Sequence, residues 1–262
     1  MLRWIFLDIG NVLMNDDPAM ALIYRELHRT ICAAGYRVTF RDLLAEREAL
    51  IRERGPGHWT VLACRYLGES GHRHLMEKCA AKIRADYMAC HTVLPGIAEG
   101  VRALAGSYHI GVVANQLREV SVALDRIDLA DVIEVRAISE IIGFRKPDPA
   151  IYRWACEKAG CAPREAVMIG DRIDNDIAPA RAVGLWTILF RISHEAKGAV
   201  PGDEAETLYY QSQLRESICR IAPSGAHEIP DATVHDVPGL MAAIESIRLI
   251  AESASVESPT RR

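Results

Sequence analysis

The stretch Trp4-Ile5-Phe6-Leu7-Asp8-Ile9-Gly10-Asn11-Val12-Leu13 decides the fold of this 262-residue chain. Its apolar residues run without a helical period up to one carboxylate, Asp8, and a Gly-Asn pair then breaks the run. A short apolar segment of this kind is typical of a strand buried on both faces of a parallel sheet. Because chemistry in such sheets collects at the carboxyl ends of the strands, Asp8 is a candidate functional residue. For Asp8 alone, the simpler interpretation is a carboxylate that caps the turn into a helix.

Further apolar runs with the character of strands follow along the chain, and helical patterns separate them. These runs lie at 109–114, 132–135, 167–169, 186–189 and 232–234. Strands that alternate with helices at this spacing predict an α/β fold with a Rossmann-like, doubly wound parallel sheet.

Residues 14–92 interrupt the alternation, because they contain helical patterns and no strand-like run. The sequence therefore predicts an inserted α-helical domain over 14–92, within a core formed by residues 1–13 and 93–262. Residues 191–230 combine a polar loop with an amphipathic helix, and we predict that they elaborate this core.

Composition excludes several classes of function. Half of the residues are hydrophobic, which is enough for a large core, and the net charge of -4 comes with basic residues too scattered for a nucleic-acid-binding patch. No segment approaches the length of a membrane span, and the first apolar run does not have the form of a secretory signal. The seven cysteines are an odd number without a CxxC pair, so we expect reduced thiols and a cytoplasmic location.

A second segment rich in carboxylates follows the fourth predicted strand. Gly170-Asp171-Arg172-Ile173-Asp174-Asn175-Asp176 places three carboxylates in one turn, and such crowding is tolerable if a hard divalent cation lies among the oxygens. Mg²⁺ suits a site of few carboxylates, water and phosphate. A helix start with favourable aspartates is an equally good interpretation of this segment by itself.

A lysine is held in a loop between prolines, in Gly143-Phe144-Arg145-Lys146-Pro147-Asp148-Pro149. A solvated surface position is the default interpretation of Lys146. If this loop meets the carboxylates at one sheet edge, however, the lysine would balance the charge of a nucleophile, a metal and a phosphoryl group.

The order of these motifs resembles that of the haloacid dehalogenase (HAD) superfamily of hydrolases, in the subgroup whose helical cap is inserted after the first strand. The matching motifs are Asp8-Ile9-Gly10-Asn11-Val12-Leu13, Ala114-Asn115, Lys146-Pro147-Asp148, and Gly170-Asp171 with Asp176. The resemblance implies that Asp8 is a nucleophile, which forms an aspartyl-phosphate that water then hydrolyses. It also implies that the helical insert is a cap that closes over the substrate.

The same resemblance implies a role for each of the remaining motif residues. Mg²⁺ would be held by Asp8, the carbonyl of Gly10, Asp171 and, directly or through water, Asp176. Lys146 and Asp176 would join Asp8 as catalytic residues. The residues predicted to bind the substrate are Asn11, Asn115, Gln116, Lys146 and Arg172.

Two residues depart from the family pattern. Gly10 stands where the family usually has a second aspartate, a general acid whose contribution is roughly 10²–10⁴ in rate. Ala114 stands where the family has a serine or threonine that donates a hydrogen bond to the phosphoryl group. Members of one branch that also have Asp-x-Gly-Asn are regarded as sugar-phosphate phosphatases, so Gly10 does not exclude catalysis. Asp16 or Asp17 is an alternative acid, although solvation and a helix cap are the simpler interpretations.

The sequence thus predicts a Mg²⁺-dependent hydrolase of a small phosphorylated metabolite. One alternative is a catalytically weakened family member that binds a phosphorylated ligand or partner without turning it over. Another is a dehalogenase or a phosphonatase. The carboxylate-rich turn argues against dehalogenation, which uses no metal. A phosphonatase would use a cap lysine for a Schiff base, whereas Lys78 and Lys82 have the pattern of solvated helix positions.

Overall fold

The computed structural model describes residues 1–198 and 200–256, which divide into two units. The core unit comprises Met1–Met14, Val93–Gly198 and the described residues from Ala222 onward, and the helical unit comprises Asn15–Thr92 and the described residues within 199–221. The chain therefore leaves the core unit twice and returns to it twice.

The secondary-structure elements alternate along most of the chain. The strands are β1 (Trp4–Leu7), β2 (Met14–Asn15), β3 (Thr92–Val93), β4 (His109–Ala114), β5 (Ile133–Ile138), β6 (Ala166–Gly170), β7 (Trp186–Phe190) and β8 (Ala232–Val234). The α-helices are α1 (Asp17–Ala33), α2 (Phe40–Arg54), α3 (His58–Ala85), α4 (Tyr87–Cys90), α5 (Ile97–Ala105), α6 (Val120–Arg126), α7 (Ser139–Ile142), α8 (Ala150–Ala159), α9 (Ala178–Val183), α10 (Glu204–Arg215) and α11 (Val237–Val256). Among the described residues, no helix is both long enough and apolar enough to cross a membrane.

Six strands form one parallel sheet in the order β5-β4-β1-β6-β7-β8, while β2 and β3 pair with each other. Because the order runs outward from β1 in both directions, the sheet is doubly wound, and the predicted α/β Rossmann-like fold is confirmed. Leu7 at the end of β1 lies opposite Val112 of β4 and Ile169 of β6, so these central strands end close to one another.

The first strand is enclosed on both faces, as its continuous apolar run predicts. Ile5, Phe6 and Leu7 have no exposed surface. Gly111 of β4 lies against the ring of Phe6, and a Cβ atom there would be 2.7 Å from Phe6 Cδ1. Since that distance is far below van der Waals contact, the close pairing of β1 with β4 depends on a glycine at this position.

The helical unit contains α1 to α4 together with α10, which comes from the second excursion of the chain. The sequence predicts that 191–230 elaborate the core, whereas the described residues within 199–221 group with the helical unit. The physical reason is visible at Arg47 of α2, whose residue surface is only 1% exposed. A buried guanidinium requires hydrogen-bond acceptors, and those that Arg47 contacts lie at the carboxyl end of α10.

Three hydrogen bonds connect Arg47 with that end of α10. One Nη atom donates to Ser212 Oγ at 3.1 Å and to the carbonyl of Glu216 at 2.9 Å, and the other donates to Gln213 Oε1 at 2.6 Å. The acceptor on Glu216 is its backbone carbonyl, just beyond the last turn of α10. A carbonyl at this position has no partner within the helix and needs one from outside it. Arg47 thus joins α10 to α2 within this unit.

Aromatic rings surround the same guanidinium in the helical unit. Arg47 lies 5.7 Å from the ring centre of Tyr24 and 5.4 Å from that of Tyr209, and these two rings stack on each other. Trp59 meets Tyr24 edge-on at 5.0 Å, and His58 Nε2 lies 3.4 Å from the Tyr24 hydroxyl. His58 and Trp59 therefore contribute to packing inside the unit.

Candidate active site

The motif residues converge at the carboxyl edge of the parallel sheet, within the core unit. Asp8 directly follows β1, and its backbone N–H donates to the carbonyl of Ile169 on β6 at 2.8 Å. Asp171 directly follows β6, and Asn115 directly follows β4. Because these three strands are neighbours in register, the side chains that follow them reach one region.

Lys146 lies at the centre of this region. Its Nζ atom is 2.7 Å from Asp8 Oδ1 and 2.6 Å from Asp176 Oδ1, and the residue is only 3% exposed. Burial by itself would lower the pKa of Lys146, but the charges of Asp176 and Asp8 outweigh burial and hold the pKa above its ordinary value. The lysine is therefore a fixed positive charge between two carboxylates.

Asp176 has no exposed surface and is held from two sides. Lys146 contacts its Oδ1 atom, and the backbone N–H of Arg172 donates to its Oδ2 atom at 3.0 Å. Burial raises the pKa of Asp176 to about 6, although the charge of Lys146 acts in the opposite direction. The π-helical turn Ile173–Ile177 brings Asp176 back against Gly170 at the end of β6.

Asn115 positions the lysine loop through its side chain. Its Nδ2 atom donates to the carbonyl of Lys146, and its Oδ1 atom accepts from the backbone N–H of Lys146, both at 2.8 Å. This pair of hydrogen bonds attaches the loop that follows α7 to the end of β4. The sequence prediction gave Asn115 a role in substrate binding, and its observed contacts are with the backbone of the catalytic candidate.

Asn11 stands next to the carboxylates in a turn that few residues adopt. Its φ angle is +55°, a left-handed conformation that asparagine tolerates better than most residues, and its N–H donates to the carbonyl of Met14 at 2.6 Å. The side-chain Nδ2 atom donates to Asp171 Oδ2 at 3.1 Å. Lys197 Nζ donates to Asn11 Oδ1 at 2.6 Å.

The other predicted site residues occupy the same edge with different partners. The carbonyl of Gln116 accepts a hydrogen bond from Ser139 Oγ at 3.5 Å. The side chain of Arg172 forms an ion pair with Asp174. Ala114, at the end of β4, is fully buried. Gly10 forms a β-bridge with Met14 in the turn after β1.

Two residues with contacts in this region carry no signal in the sequence. Lys197 follows β7 in a segment that belongs to no motif, so only the fold brings it to Asn11. Tyr152 of α8 lies beneath the carboxylate turn, where its hydroxyl donates to the carbonyl of Asn175 at 2.5 Å. Burial raises the pKa of Tyr152 well above its ordinary value, so the hydroxyl remains a donor. A tyrosine on an amphipathic helix cannot be told from an ordinary core residue by its pattern.

The carboxyl groups fit a hard divalent cation. One oxygen atom from each of Asp8, Asp171 and Asp176 lies within 4.8 Å of the other two, and all three residues are buried. The ammonium group of Lys146 contacts two of these carboxylates, those of Asp8 and Asp176. Oxygen ligands of this kind are the ones that Mg²⁺ and Ca²⁺ prefer.

Known proteins resemble this chain in sequence. Pyrimidine 5'-nucleotidase YjjG of Escherichia coli (strain K12) is 32% identical over 127 residues, which are 47% of this chain and 56% of that protein. The chain thus spans little more than half of that relative. Glyceraldehyde 3-phosphate phosphatase of Pyrococcus abyssi is 26% identical over 197 residues, which are 73% of this chain and 82% of that protein.

Solved structures resemble the chain in fold. A 2-haloacid dehalogenase from Pseudomonas syringae has a TM-score of 0.54 with 20% identity, over 94% of this chain and 99% of that one. A HAD phosphatase from Thermococcus onnurineus also has a TM-score of 0.54 with 17% identity, over 93% of this chain and 98% of that one. Since the two scores are equal, the backbone does not distinguish these activities.

The sequence profile of the haloacid dehalogenase-like hydrolases matches residues 2–184, which include every motif residue described above. The match begins before β1 and ends after α9, and thus takes in the helical insert between β2 and β3. By this match and by its fold, the chain belongs to the family of haloacid dehalogenase-like hydrolases.

Proposed function

We propose that the protein is a Mg²⁺-dependent phosphomonoesterase that acts on a small phosphorylated metabolite through an aspartyl-phosphate on Asp8. The observation that carries this proposal is the arrangement of Asp8, Lys146 and Asp176, with Lys146 Nζ within 2.7 Å of both carboxylates. The resemblance to the glyceraldehyde 3-phosphate phosphatase of Pyrococcus abyssi supports the same class of substrate.

The carboxylate cluster would hold the metal ion. Asp8, Asp171 and Asp176 are the side-chain ligands, and the carbonyl of Gly10 is a backbone ligand in this proposal. When bound, Mg²⁺ supplies positive charge against the oxygens of the transferring phosphoryl group.

The nucleophile is positioned by the lysine. Lys146 Nζ contacts Asp8 Oδ1, which limits rotation of the carboxylate and orients it toward the substrate. Asp8 attacks phosphorus, the P–O bond to the leaving group breaks, and the departing oxygen takes a proton from water because Gly10 offers no acid. Water then hydrolyses the acyl phosphate, and Asp8 is regenerated as a carboxylate.

The rival enzyme activities have less support. A phosphonatase needs an amine for a Schiff base, and both lysines of the insert are engaged within the helical unit, with Lys78 3.1 Å and Lys82 2.6 Å from carboxylate oxygens of Glu26. Dehalogenation uses no metal, so a cluster of carboxyl groups that fits a metal ion favours a phosphatase over a dehalogenase. The role of the helical unit as a cap remains a prediction that rests on the family resemblance.

The direct test is release of inorganic phosphate from a panel of phosphorylated metabolites, with Mg²⁺ and with a chelator. Wild-type protein should release phosphate only with Mg²⁺, and Asp8→Asn should bring the rate below detection because an amide is a poor nucleophile. Asp131→Asn is the matched control, since Asp131 is an exposed carboxylate paired with Arg102.

Two outcomes contradict the proposal. Wild-type turnover by a folded Asp8→Asn variant would exclude Asp8 as nucleophile. Absence of turnover on the whole panel, together with Mg²⁺-dependent binding of a phosphate mimic, would favour the alternative of a family member that binds phosphorylated ligands without hydrolysing them.

A further inference from the structure

Lys197 reaches the candidate metal site from outside all the motifs. It ends the short helical turn Glu195–Lys197 after β7, and its Nζ atom is 2.6 Å from Asn11 Oδ1. Asn11 in turn donates from Nδ2 to Asp171 Oδ2 at 3.1 Å. The three side chains, all from the core unit, therefore form a chain of hydrogen bonds that ends on a carboxylate of the cluster.

The direction of this chain follows from the chemistry of its first member. An ammonium group has donors and no acceptor, so the atom of Asn11 that faces Lys197 must be the carbonyl oxygen. The amide nitrogen then faces Asp171, and a donor meets the carboxylate. The contact with Lys197 and the contact with Asp171 thus favour the same orientation of the amide. With Lys197 absent, the amide would lose one of these two contacts, and its Nδ2 atom would be held less firmly against the carboxylate.

The backbone of Asn11 is fixed in its turn, so rotation of the side chain is the main conformational freedom that this residue keeps. Its left-handed φ of +55° and the hydrogen bond from its N–H to the Met14 carbonyl fix the turn. We propose that Lys197 is a positioning residue that acts through Asn11 to orient Asp171 for the divalent cation. This inference rests on the metal site of the proposed function and adds to it a residue from outside the family motifs.

Charge alone would act in the opposite direction. The ammonium of Lys197 repels a cation through space, so its removal by itself would strengthen Mg²⁺ binding. Loss of a group that orients a ligand from behind typically weakens metal affinity by about 10- to 100-fold. The two effects can be separated, because repulsion persists when the Asn11 side chain is removed, whereas the hydrogen-bond chain does not.

The experiment is a double-mutant cycle on Mg²⁺ affinity, measured by calorimetry without substrate. It uses the wild-type protein, Lys197→Met, Asn11→Gly and the double variant; glycine keeps the left-handed backbone of residue 11. Lys197→Met changes the Mg²⁺ affinity by one factor when Asn11 is present and by another when residue 11 is glycine. We expect the factor with Asn11 present to be about 10-fold less favourable to Mg²⁺ binding. Equal effects in both backgrounds would overturn the proposal.

Further variants distinguish a failure of the role proposed for Lys197 from a failure of the proposed function. Lys158→Met removes a charge from an exposed lysine that lies over Trp154, and should leave Mg²⁺ affinity unchanged. Lys197→Arg keeps a donor and should keep affinity near the wild-type value. Loss of Mg²⁺ binding in Asp171→Ala is the positive control.

The outcomes of the cycle can be told apart. If the wild-type protein binds no Mg²⁺, the proposed function fails. If it binds Mg²⁺ and the effects of the two substitutions are additive, only the role of Lys197 fails. A changed KM with Mg²⁺ affinity unaltered would make Lys197 a substrate contact and equally overturn the proposal.

Discussion

Gly170→Ala should disable the candidate site by displacing Asp176. A Cβ atom on residue 170 would lie 2.2 Å from Asp176 Cβ, 2.3 Å from its Cγ and 2.6 Å from its Oδ2. Ordinary contact begins near 3.5 Å, so the carboxylate must retreat by about 1 Å. Asp176 is fully buried and holds Lys146 at 2.6 Å, so this retreat also disturbs the lysine that contacts Asp8.

The expected cost follows from that displacement. A shift of about 1 Å in a catalytic group lowers the rate by about 10²-fold, so kcat/KM should fall by that factor, which corresponds to about 2.7 kcal/mol in the transition state. Overpacking should also lower the free energy of unfolding by about 1–3 kcal/mol. The assay is therefore phosphate release at a temperature where circular dichroism shows both proteins folded, together with calorimetry of Mg²⁺ binding.

Gly106→Ala is the matched control. Gly106 follows α5 with φ of −68° and ψ of −17°, a conformation that alanine also adopts. A Cβ atom on residue 106 would have the Ala103 carbonyl oxygen as its nearest neighbour, at 3.3 Å. The Gly106→Ala variant should be as active as the wild type. A folded Gly170→Ala variant with wild-type kcat/KM and Mg²⁺ affinity would show that Asp176 is not required in its observed position.

Other substitutions test the chemistry and the helical unit separately. Gly10→Asp restores the family's general acid and should raise kcat/KM for alkyl phosphates relative to aryl phosphates by about 10-fold; an unchanged ratio in a folded, Mg²⁺-binding variant would show that leaving-group protonation is not limiting. Glu26 is buried, which opposes ionisation, yet Lys82, Lys78 and Arg29 lower its pKa from 4.5 to about 2. Its ion pairs therefore stabilise the fold above pH 4.5 and lose this effect as pH falls toward 2, so Glu26→Gln should cost about 2 kcal/mol at pH 7 and progressively less in acid. Denaturant titrations at several pH values measure this difference, and a cost independent of pH would contradict it. Arg47→Ala should lower the free energy of unfolding by about 3 kcal/mol through lost hydrogen bonds and a cavity, and an unchanged denaturation midpoint would contradict this expectation.

The sheet and the convergence of the motifs could be predicted because buried parallel strands have a simple sequence pattern. A strand buried on both faces must be apolar throughout, as β1 is, and the residue after it must lie at the carboxyl edge. Asp8 and Asp171 follow two such strands, and register alone brings them together. Lys146 required the family resemblance, because a lysine in a loop has no pattern that separates it from a surface residue.

The membership of α10 in the helical unit could not be predicted, because it depends on contacts between residues distant in sequence. Arg47 lies three or four residues from the buried leucines of α2, but an arginine at such a position is ordinarily expected to reach solvent. Only the structure places Ser212 and Gln213 within reach of its guanidinium, more than 160 residues along the chain. The contact of Lys197 with Asn11, across 186 residues, escaped prediction for the same reason.

The two departures from the family pattern affect one part of the chemistry and spare another. Gly10 and Ala114 replace side chains that would act on the leaving group and on the phosphoryl oxygens, whereas the contacts among Asp8, Lys146 and Asp176 involve neither position. In the proposed mechanism, the missing leaving-group acid therefore does not alter the contact that orients Asp8. If the proposed function holds, formation of the aspartyl-phosphate should depend strongly on the acidity of the leaving group, while its hydrolysis, which releases a carboxylate, should not.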